Sequence, residues 1–436
     1  MKKVPIQIIV ILALMVELGM LTFFRNDFGP FISPVILFLA SLTIGISLLW
    51  ISFQNKESPK HLELQKIPMH HLIVPALLTL SGIIAAGLIL KPVFSAFPID
   101  IYDVKYSDII PQVGFLVKRF LNGEFPYQTI SEWGYDLRPT YLPLQWLPFS
   151  IADILSFDYR WIPFGILAIG IIWFEMKIIQ APISILKKVL LSLIPVILWV
   201  ALILDEKMVF ALTIESLIAG YYLILALTLS SKSNIVIAVG LLLCLFSRYA
   251  IILWVPMFII TLFFENKKSA IRISIYLFIG FLVIYGIPFL YQDPSIFLEG
   301  YLHHTSAALG EWKRMTYQVG SKPNHLFKGV GLAAFFYDFI DGSLMHRLNV
   351  LRYFHLAVSI SCPLILGFLY YKMRGNINYR LFLLASLKVY LCFFYGFIQI
   401  PYTYLFITPL FVSAAIAFEV LKYGSQNKTD ILSSPL

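Results

Sequence analysis

The sequence predicts an all-α protein, a polytopic transmembrane helical bundle of about 11–13 spans. Three observations predict it. Apolar residues make up 59% of the 436-residue chain and charged residues only 13%, whereas soluble domains are near half apolar and about a quarter charged. The apolar residues gather into runs near the roughly 20 residues that a helix needs to cross about 30 Å of hydrocarbon. These runs do not alternate as barrel strands do, and lipid favours a helix because it satisfies its own backbone amides.

In chain order, spans are expected at 4–23, 31–53 and 72–90, then at 161–174, 189–204 and 211–229, and finally at 271–291, 351–371, 381–398 and 404–420. Residues 235–264 exceed one ordinary span and read as two short ones meeting at Ser247 and Arg248. The first run follows Lys2 and Lys3 but has no small-residue cleavage site after it, so it is expected to stay as a span. The segment 140–155 either crosses the membrane or only dips into it. Cys244, Cys362 and Cys392 all lie in apolar runs, which argues against a disulfide framework or a CxxC metal site.

The net charge is +9. In so apolar a chain it reads as the positive-inside bias of membrane loops, not as a nucleic-acid surface. Four groups fit the cytoplasmic side: Lys2 and Lys3; Lys56, Lys60 and Lys66; Lys267, Lys268 and Arg272; Lys372, Arg374 and Arg380. Lys177, Lys187 and Lys188 fit either side, depending on 140–155. Two polar stretches, 91–140 and 292–349, then share the external or periplasmic face of a cell membrane, within one integral membrane domain over 1–436. Connections longer than about 12–15 residues are usually functional or disordered. The aromatic residues and isoleucines spread through both stretches point to packed structure. The tail after Val420 carries no retention signal, which suits a bacterial plasma membrane.

The first stretch contains a helix signal. Ser107 is a good capping residue, and Pro111 is tolerated in a first turn. Ile109, Val113, Val117, Phe120 and Leu121 recur at helical spacing. Asn122 and Gly123 supply a stop. A short amphipathic helix along the membrane surface is expected. Asp108 falls in its first turn, where the partial positive charge of the helix end favours a carboxylate. Such a carboxylate can take a proton from a substrate hydroxyl, or it can simply belong to the cap. Asp100 and Asp103 lie upstream and compete for the role.

The run VKYSDI from Val104 to Ile109, followed by GEFPY from Gly123 to Tyr127, resembles the first external loop of the GT-C glycosyltransferases. It is similar above all to the mannosyltransferases that use a polyprenyl- or dolichyl-phosphate sugar. In that family an aspartate precedes an amphipathic helix that ends in a Gly-x-x-Pro-Tyr type turn. A Tyr-x-Pro-Leu type segment then opens the next hydrophobic helix, and TYLPL from Thr140 to Leu144 stands in its place, with Pro148 beyond. The match is sharp over 103–148 and loose elsewhere, at Ser247 to Tyr249 and at Pro401 to Tyr404 with Pro409. Some relatives carry a second acid two positions after the aspartate. Ile110 stands there in this chain, so a paired-carboxylate or metal-binding version does not carry over.

The resemblance implies a GT-C bundle and a single inverting displacement. Asp108 would be the base, with Asp103 as its competitor. A polyprenyl-phosphate sugar, mannose or another hexose, would be the donor, and a lipid or glycan the acceptor. Tyr127, Tyr141 and Tyr402 would contact substrate. Arg138, Arg248, Lys313 and Arg314 are candidates for the departing phosphate. Arg248 lies in an apolar run, where a charge is costly and marks either function or an ion pair with another helix. Lys313 and Arg314 sit among aromatic residues and equally fit a solvated loop. Glu17, Glu215 and Lys388 are further charges in apolar runs, expected to pair between helices.

No cofactor is required by the sequence. His303 and His304 are adjacent, so their side chains diverge, and no HExxH pattern follows. A divalent ion held by substrate phosphate and a carboxylate stays open. The chain has no Walker loop and no GxGxxG, hence no signal for a nucleotide sugar. A transporter or lipid flippase accounts for the spans and isolated charges, but not for the helix with an acidic start. A polysaccharide polymerase or ligase would instead rely on an external arginine-rich loop.

Overall fold

A computed structural model of the chain describes residues 5–54, 68–316 and 321–432. The expectations for Lys2, Lys3, Lys56, Lys60 and Lys66 therefore lie outside the described residues, as do those for the His303 and His304 side chains. The chain runs through α1 (Ile6–Leu21), α2 (Gly29–Gln54), α3 (Met69–Ala96), α4 (Ile109–Leu121), α5 (Pro143–Trp146) and α6 (Ser150–Ile154). It continues with α7 (Trp161–Gln180), α8 (Ile185–Leu212), α9 (Glu215–Thr228), α10 (Asn234–Leu245), α11 (Trp254–Glu265) and α12 (Lys267–Phe281). After a π-helical stretch, Leu282–Leu290, come α13 (Ile296–Lys313), the two-residue strands β1 (Met315–Thr316) and β2 (Lys322–Pro323), and α14 (Ala333–Phe339). The last helices are α15 (Leu344–Met373), α16 (Tyr379–Gly396) and α17 (Ile407–Leu432).

Among the described residues, eight helices are long and apolar enough to cross a membrane: α2, α3, α7, α8, α12 with its continuation, α15, α16 and α17. Four shorter apolar helices, α1, α9, α10 and α11, accompany them. The long apolar run 235–264 is indeed two short helices. They are parted by Phe246 to Leu253, which include one turn of 3₁₀-helix at Tyr249–Ile251.

The centre of the bundle is built from the helices that are apolar all round. Every residue of α9 is buried, and α16 and α17 are covered along most of their apolar length. The outer helices α3, α12 and α15 present bare apolar faces. Leu77, Leu88, Phe278, Leu364 and Phe368 are each more than half exposed, as expected where the solvent is hydrocarbon. Glu17 and Lys388, expected to pair between helices, do so. Lys388 Nζ lies 2.6 Å from Glu17 Oε1 and donates to the Pro409 carbonyl at 2.9 Å. Ser413 Oγ donates to the other Glu17 oxygen at 2.7 Å.

Helices α7 and α9 approach closely at Gly220. A Cβ there would stand 2.9 Å from the Ile166 carbonyl oxygen and the Leu167 nitrogen, which are backbone atoms that cannot swing aside. Gly220→Val is expected to force the pair apart and cost about 1–3 kcal/mol, read as a lower melting temperature in detergent. Gly165→Ala is the control, because nothing lies within 4 Å of its Cβ position. An equal loss in both variants would contradict the close-packing account.

The two ends of the bundle differ. At one end the Asn378 amide donates to the Ser52 carbonyl at 2.8 Å, and the Asn378 side chain donates to the Tyr423 hydroxyl at 2.9 Å. Tyr370 donates to Glu265 at the same end. Lys177 shares this end with Arg380, Glu419 and Lys422, which places it beside a group assigned to the cytoplasmic side. The question left by 140–155 is thereby answered. That segment is α5, one 3₁₀ turn at Leu147–Phe149 and α6, all too short to cross. The chain leaves α3 and re-enters at α7 on the same side, where the Arg160 guanidinium donates to the Phe94 and Phe97 carbonyls at 2.7 Å each.

Candidate functional site

Both long connections lie at the opposite end from Lys177, and they meet each other. Arg138 of the first forms ion pairs with Asp293 and Glu299 of the second. These contacts occupy the guanidinium with a structural task. The Leu332 amide of the second donates to the Gly396 carbonyl at 2.8 Å, and Trp312 Nε1 donates to the Gln399 carbonyl at 2.9 Å.

Within the first connection, α4 starts one residue later than the sequence suggests. Asp108 stands at the N-cap position with φ −88° and ψ −10°, and makes no side-chain cap bond. The Ser107 hydroxyl accepts from the Ile109 amide at 3.2 Å and donates to the Leu212 carbonyl at 3.1 Å. Pro111 has no amide to satisfy, and the Gln112 amide already donates to the Asp108 carbonyl at 2.9 Å. The helix therefore makes little demand on the Asp108 carboxylate, which is exposed. At the other end, Gly123 adopts φ +76°. The Glu124 amide donates to the Arg119 carbonyl at 2.8 Å and the Gly123 amide to Phe120 at 3.1 Å, the Schellman pattern that glycine permits.

The short helix expected from the sequence forms over Ile109–Leu121. Ile110 to Val117 are buried without a break, Gln112 included. Neighbouring segments cover this part of α4, while Lys118, Phe120 and Leu121 stay exposed. A Cβ at Gly114 would meet the Ile101 side chain at 2.5 Å. Trp133 Nε1 donates to the Ile101 carbonyl at 2.9 Å, and the Ile130 and Leu137 backbones exchange two hydrogen bonds of 2.8 Å. Arg119 ties the turn after the helix by donating to the Pro126, Gln128 and Thr129 carbonyls.

Tyr127 is fully buried. Its hydroxyl donates to the Tyr141 carbonyl at 2.9 Å and accepts from Trp146 Nε1 at 3.1 Å. Tyr127 therefore positions Tyr141. The next residues dock on the bundle, where the Leu144 amide donates to the Phe246 carbonyl at 2.8 Å and the Tyr221 hydroxyl donates to the Leu144 carbonyl at 3.2 Å. Tyr141 comes to rest among Asp108, Glu215, Arg248 and Tyr402. Burial raises its pKa most, and the carboxylates of Asp108 and Glu215 raise it further. The hydroxyl therefore stays protonated and can act as a donor.

Arg248 is paired with Glu215. One guanidinium nitrogen lies 2.5 Å from Glu215 Oε1 and the other 3.0 Å from Oε2, while a third contact reaches the Tyr395 hydroxyl at 3.4 Å. Glu215 is the first residue of α9, where the helix end also favours its negative charge. The ion-pair alternative for Arg248 thus holds, and Glu215 pairs as anticipated. Tyr402 stacks on Tyr404 with ring centroids 5.0 Å apart and meets His325 edge-on at 4.6 Å. Burial raises the Tyr402 pKa, with the negative charges of Glu311 and Asp108 adding to the effect. Thr403 Oγ1 donates to Glu206 at 3.1 Å, and Glu206 is held by Arg25 at 2.6 Å.

The site thus gathers Asp108, Tyr141, Arg248 and Tyr402. Asp103 is exposed, and its Oδ1 accepts from the Lys105 amide at 2.8 Å, a local turn that occupies one oxygen. Lys313 and Arg314 are exposed, with Arg314 3.5 Å from Glu311. Around the site, Glu206, Glu215, Asp293, Glu299 and Glu311 each face a cation. Asp108 forms no ion pair among the described residues. Those residues also hold no group of three His, Cys, Asp or Glu side chains arranged for a metal ion. Sequence reasoning missed Glu206, Glu311 and His325 as site residues, because they meet the site only through folding. Comparison with family profiles, curated proteins and solved structures finds no match.

Proposed function

We propose that this protein is a membrane glycosyltransferase that moves a hexose from a polyprenyl-phosphate sugar to a lipid or glycan acceptor. The observation that carries the reading is Asp108, an exposed carboxylate without a cationic partner among the described residues, set beside two protonated tyrosines. In the proposed step, Asp108 removes the proton of the acceptor hydroxyl. The acceptor oxygen forms its bond to the anomeric carbon from the face opposite the phosphate. The bond between that carbon and the phosphate oxygen breaks, its electron pair leaves with the phosphate, and the sugar inverts. Tyr141 and Tyr402 donate hydrogen bonds to sugar hydroxyls or to the leaving oxygen, a preorganised arrangement of the kind that lowers such barriers. Lys313 and Arg314 supply cations for the leaving phosphate. Arg248 keeps Glu215 neutralised beneath the site.

The test is transfer of labelled hexose from polyprenyl-phosphate hexose in proteoliposomes holding the native chain. The expected outcome is a glycosylated acceptor of inverted anomeric configuration, with polyprenyl phosphate released. Movement of the intact donor across the bilayer without release of polyprenyl phosphate would replace this reading with a flippase.

A further inference from the structure

The end of the bundle that carries Lys177 also holds the turn from α11 to α12 and the turn from α15 to α16. Residues 263–272 and 370–376 bring five basic side chains there, Lys267, Lys268, Arg272, Lys372 and Arg374, against one acid, Glu265. All five are exposed. The acid is engaged, because its carboxylate accepts from the Tyr370 hydroxyl. Arg374 is seated on two rings from two helices. Its guanidinium carbon lies 5.3 Å from the centroid of Phe264 on α11 and 4.9 Å from that of Tyr371 on α15, and the rings are 5.7 Å apart. Lys267 Nζ stands 5.4 Å over Phe263. A guanidinium seated on aromatic faces keeps the N–H donors at its edge for an anion. Arg374 forms no ion pair among the described residues.

Beneath these cations, α11 and α15 border a furrow. Ile260 and Phe264 are four residues apart and share one face of α11. Leu364, Phe368 and Tyr371 share one face of α15 by the same spacing, and all five are exposed. Between the two ridges lies Gly367, which has no side chain to fill the gap, with its Cβ position 3.3 Å from Met257 of α11.

We propose that this furrow binds one anionic phospholipid, with the headgroup phosphate on Arg374 and Lys267 and the acyl chains along the apolar ridges. The occupant follows from the two surfaces in sequence. A soluble anion would use the cations and leave the apolar face bare. A zwitterionic lipid would bring a quaternary ammonium among five cations whose one acidic neighbour is already engaged. A lipid of net negative charge matches both parts. Each basic side chain at a membrane boundary favours such a lipid by about fivefold. The surface lies at the opposite end of the bundle from Asp108 and is independent of the proposed sugar transfer.

The test is native mass spectrometry of the full chain in mild detergent, titrated separately with phosphatidylglycerol and with phosphatidylcholine of the same acyl chains. The readout is the affinity for the first bound lipid. Native protein is expected to prefer phosphatidylglycerol by at least about tenfold, since two cations contribute. Arg374→Gln should lower that preference by about fivefold, and Phe264→Ala should lower it by removing one ring of the seat. Both side chains are exposed, so the variants should fold, and melting without added lipid verifies this. Lys232→Gln is the control. Lys232 is an exposed lysine at the same end, beside the Ser230 carbonyl that accepts from Arg380 at 3.3 Å, and its variant should keep the native preference. Glycerol phosphate in excess should leave the bound lipid in place. An absent preference in the native protein, or an unchanged one in Arg374→Gln, overturns the proposal. Equal losses in Arg374→Gln and Lys232→Gln would replace the site with diffuse surface charge. Displacement by glycerol phosphate would replace it with an anion site that makes no use of the chains.

Discussion

Asp108→Asn is expected to lower turnover of sugar transfer by about 10²–10⁴-fold, the usual worth of a positioned general base. The substitution keeps the shape of the side chain and removes its capacity to take a proton. It should not disturb the fold, because the carboxylate makes no cap bond and α4 is anchored elsewhere, at Ser107, Gly123 and Arg119. Donor binding should stay within about twofold, since the interaction removed is made chiefly in the transition state. Asp103→Asn is the matched control. One of its oxygens serves the Lys105 turn, and it should cost far less in turnover. Initial rates at saturating donor and acceptor, with the folded fraction measured by size exclusion, separate the two. Equal losses in both variants would point to a diffuse acidic requirement instead of one base.

Lys388→Met is expected to have the largest effect on stability. Lys388 and Glu17 are fully buried, and removing the ammonium leaves a carboxylate deep in the bundle with Ser413 as its remaining partner. Breaking a buried pair from one side typically costs about 3–5 kcal/mol, whereas replacing both partners by apolar residues is often neutral. The single variant should melt well below the native protein in detergent. The double variant Glu17→Leu with Lys388→Met should recover most of the loss and retain transfer. A double variant that is stable but inactive would give this pair a task in function and weaken the view that it only joins helices.

Much of the architecture is legible in the sequence, because a lipid solvent imposes simple demands. A run of apolar residues must be a helix, and the position of Arg248 within 235–264 marks the break between α10 and α11. The stop at Asn122 and Gly123 is equally local, since only a left-handed residue closes the helix that way. The surroundings of α4 are not legible. Its spacing suggests one apolar face, yet segments before and after it in sequence close over much of the rest. The partner of Arg248 is hidden for the same reason. Glu215 lies 33 residues away, and only the packing of α9 and the turn after α10 brings them together. Of the site, Asp108 and Tyr141 are visible as residues of a motif. His325 and Glu311 leave no such trace, because adjacency in the sequence says nothing of a contact made through Tyr402. Arg138 and Tyr127 stand out in sequence, and the structure gives both of them positioning tasks.

The central claim is that Asp108 serves as the base for sugar transfer from a lipid phosphate. The most direct measurement is labelled-hexose transfer from polyprenyl-phosphate hexose in proteoliposomes, run side by side with equal folded amounts of native and Asp108→Asn protein. The account predicts transfer by the native protein and a loss of at least about 10²-fold in the variant. Equal transfer by both proteins would contradict it.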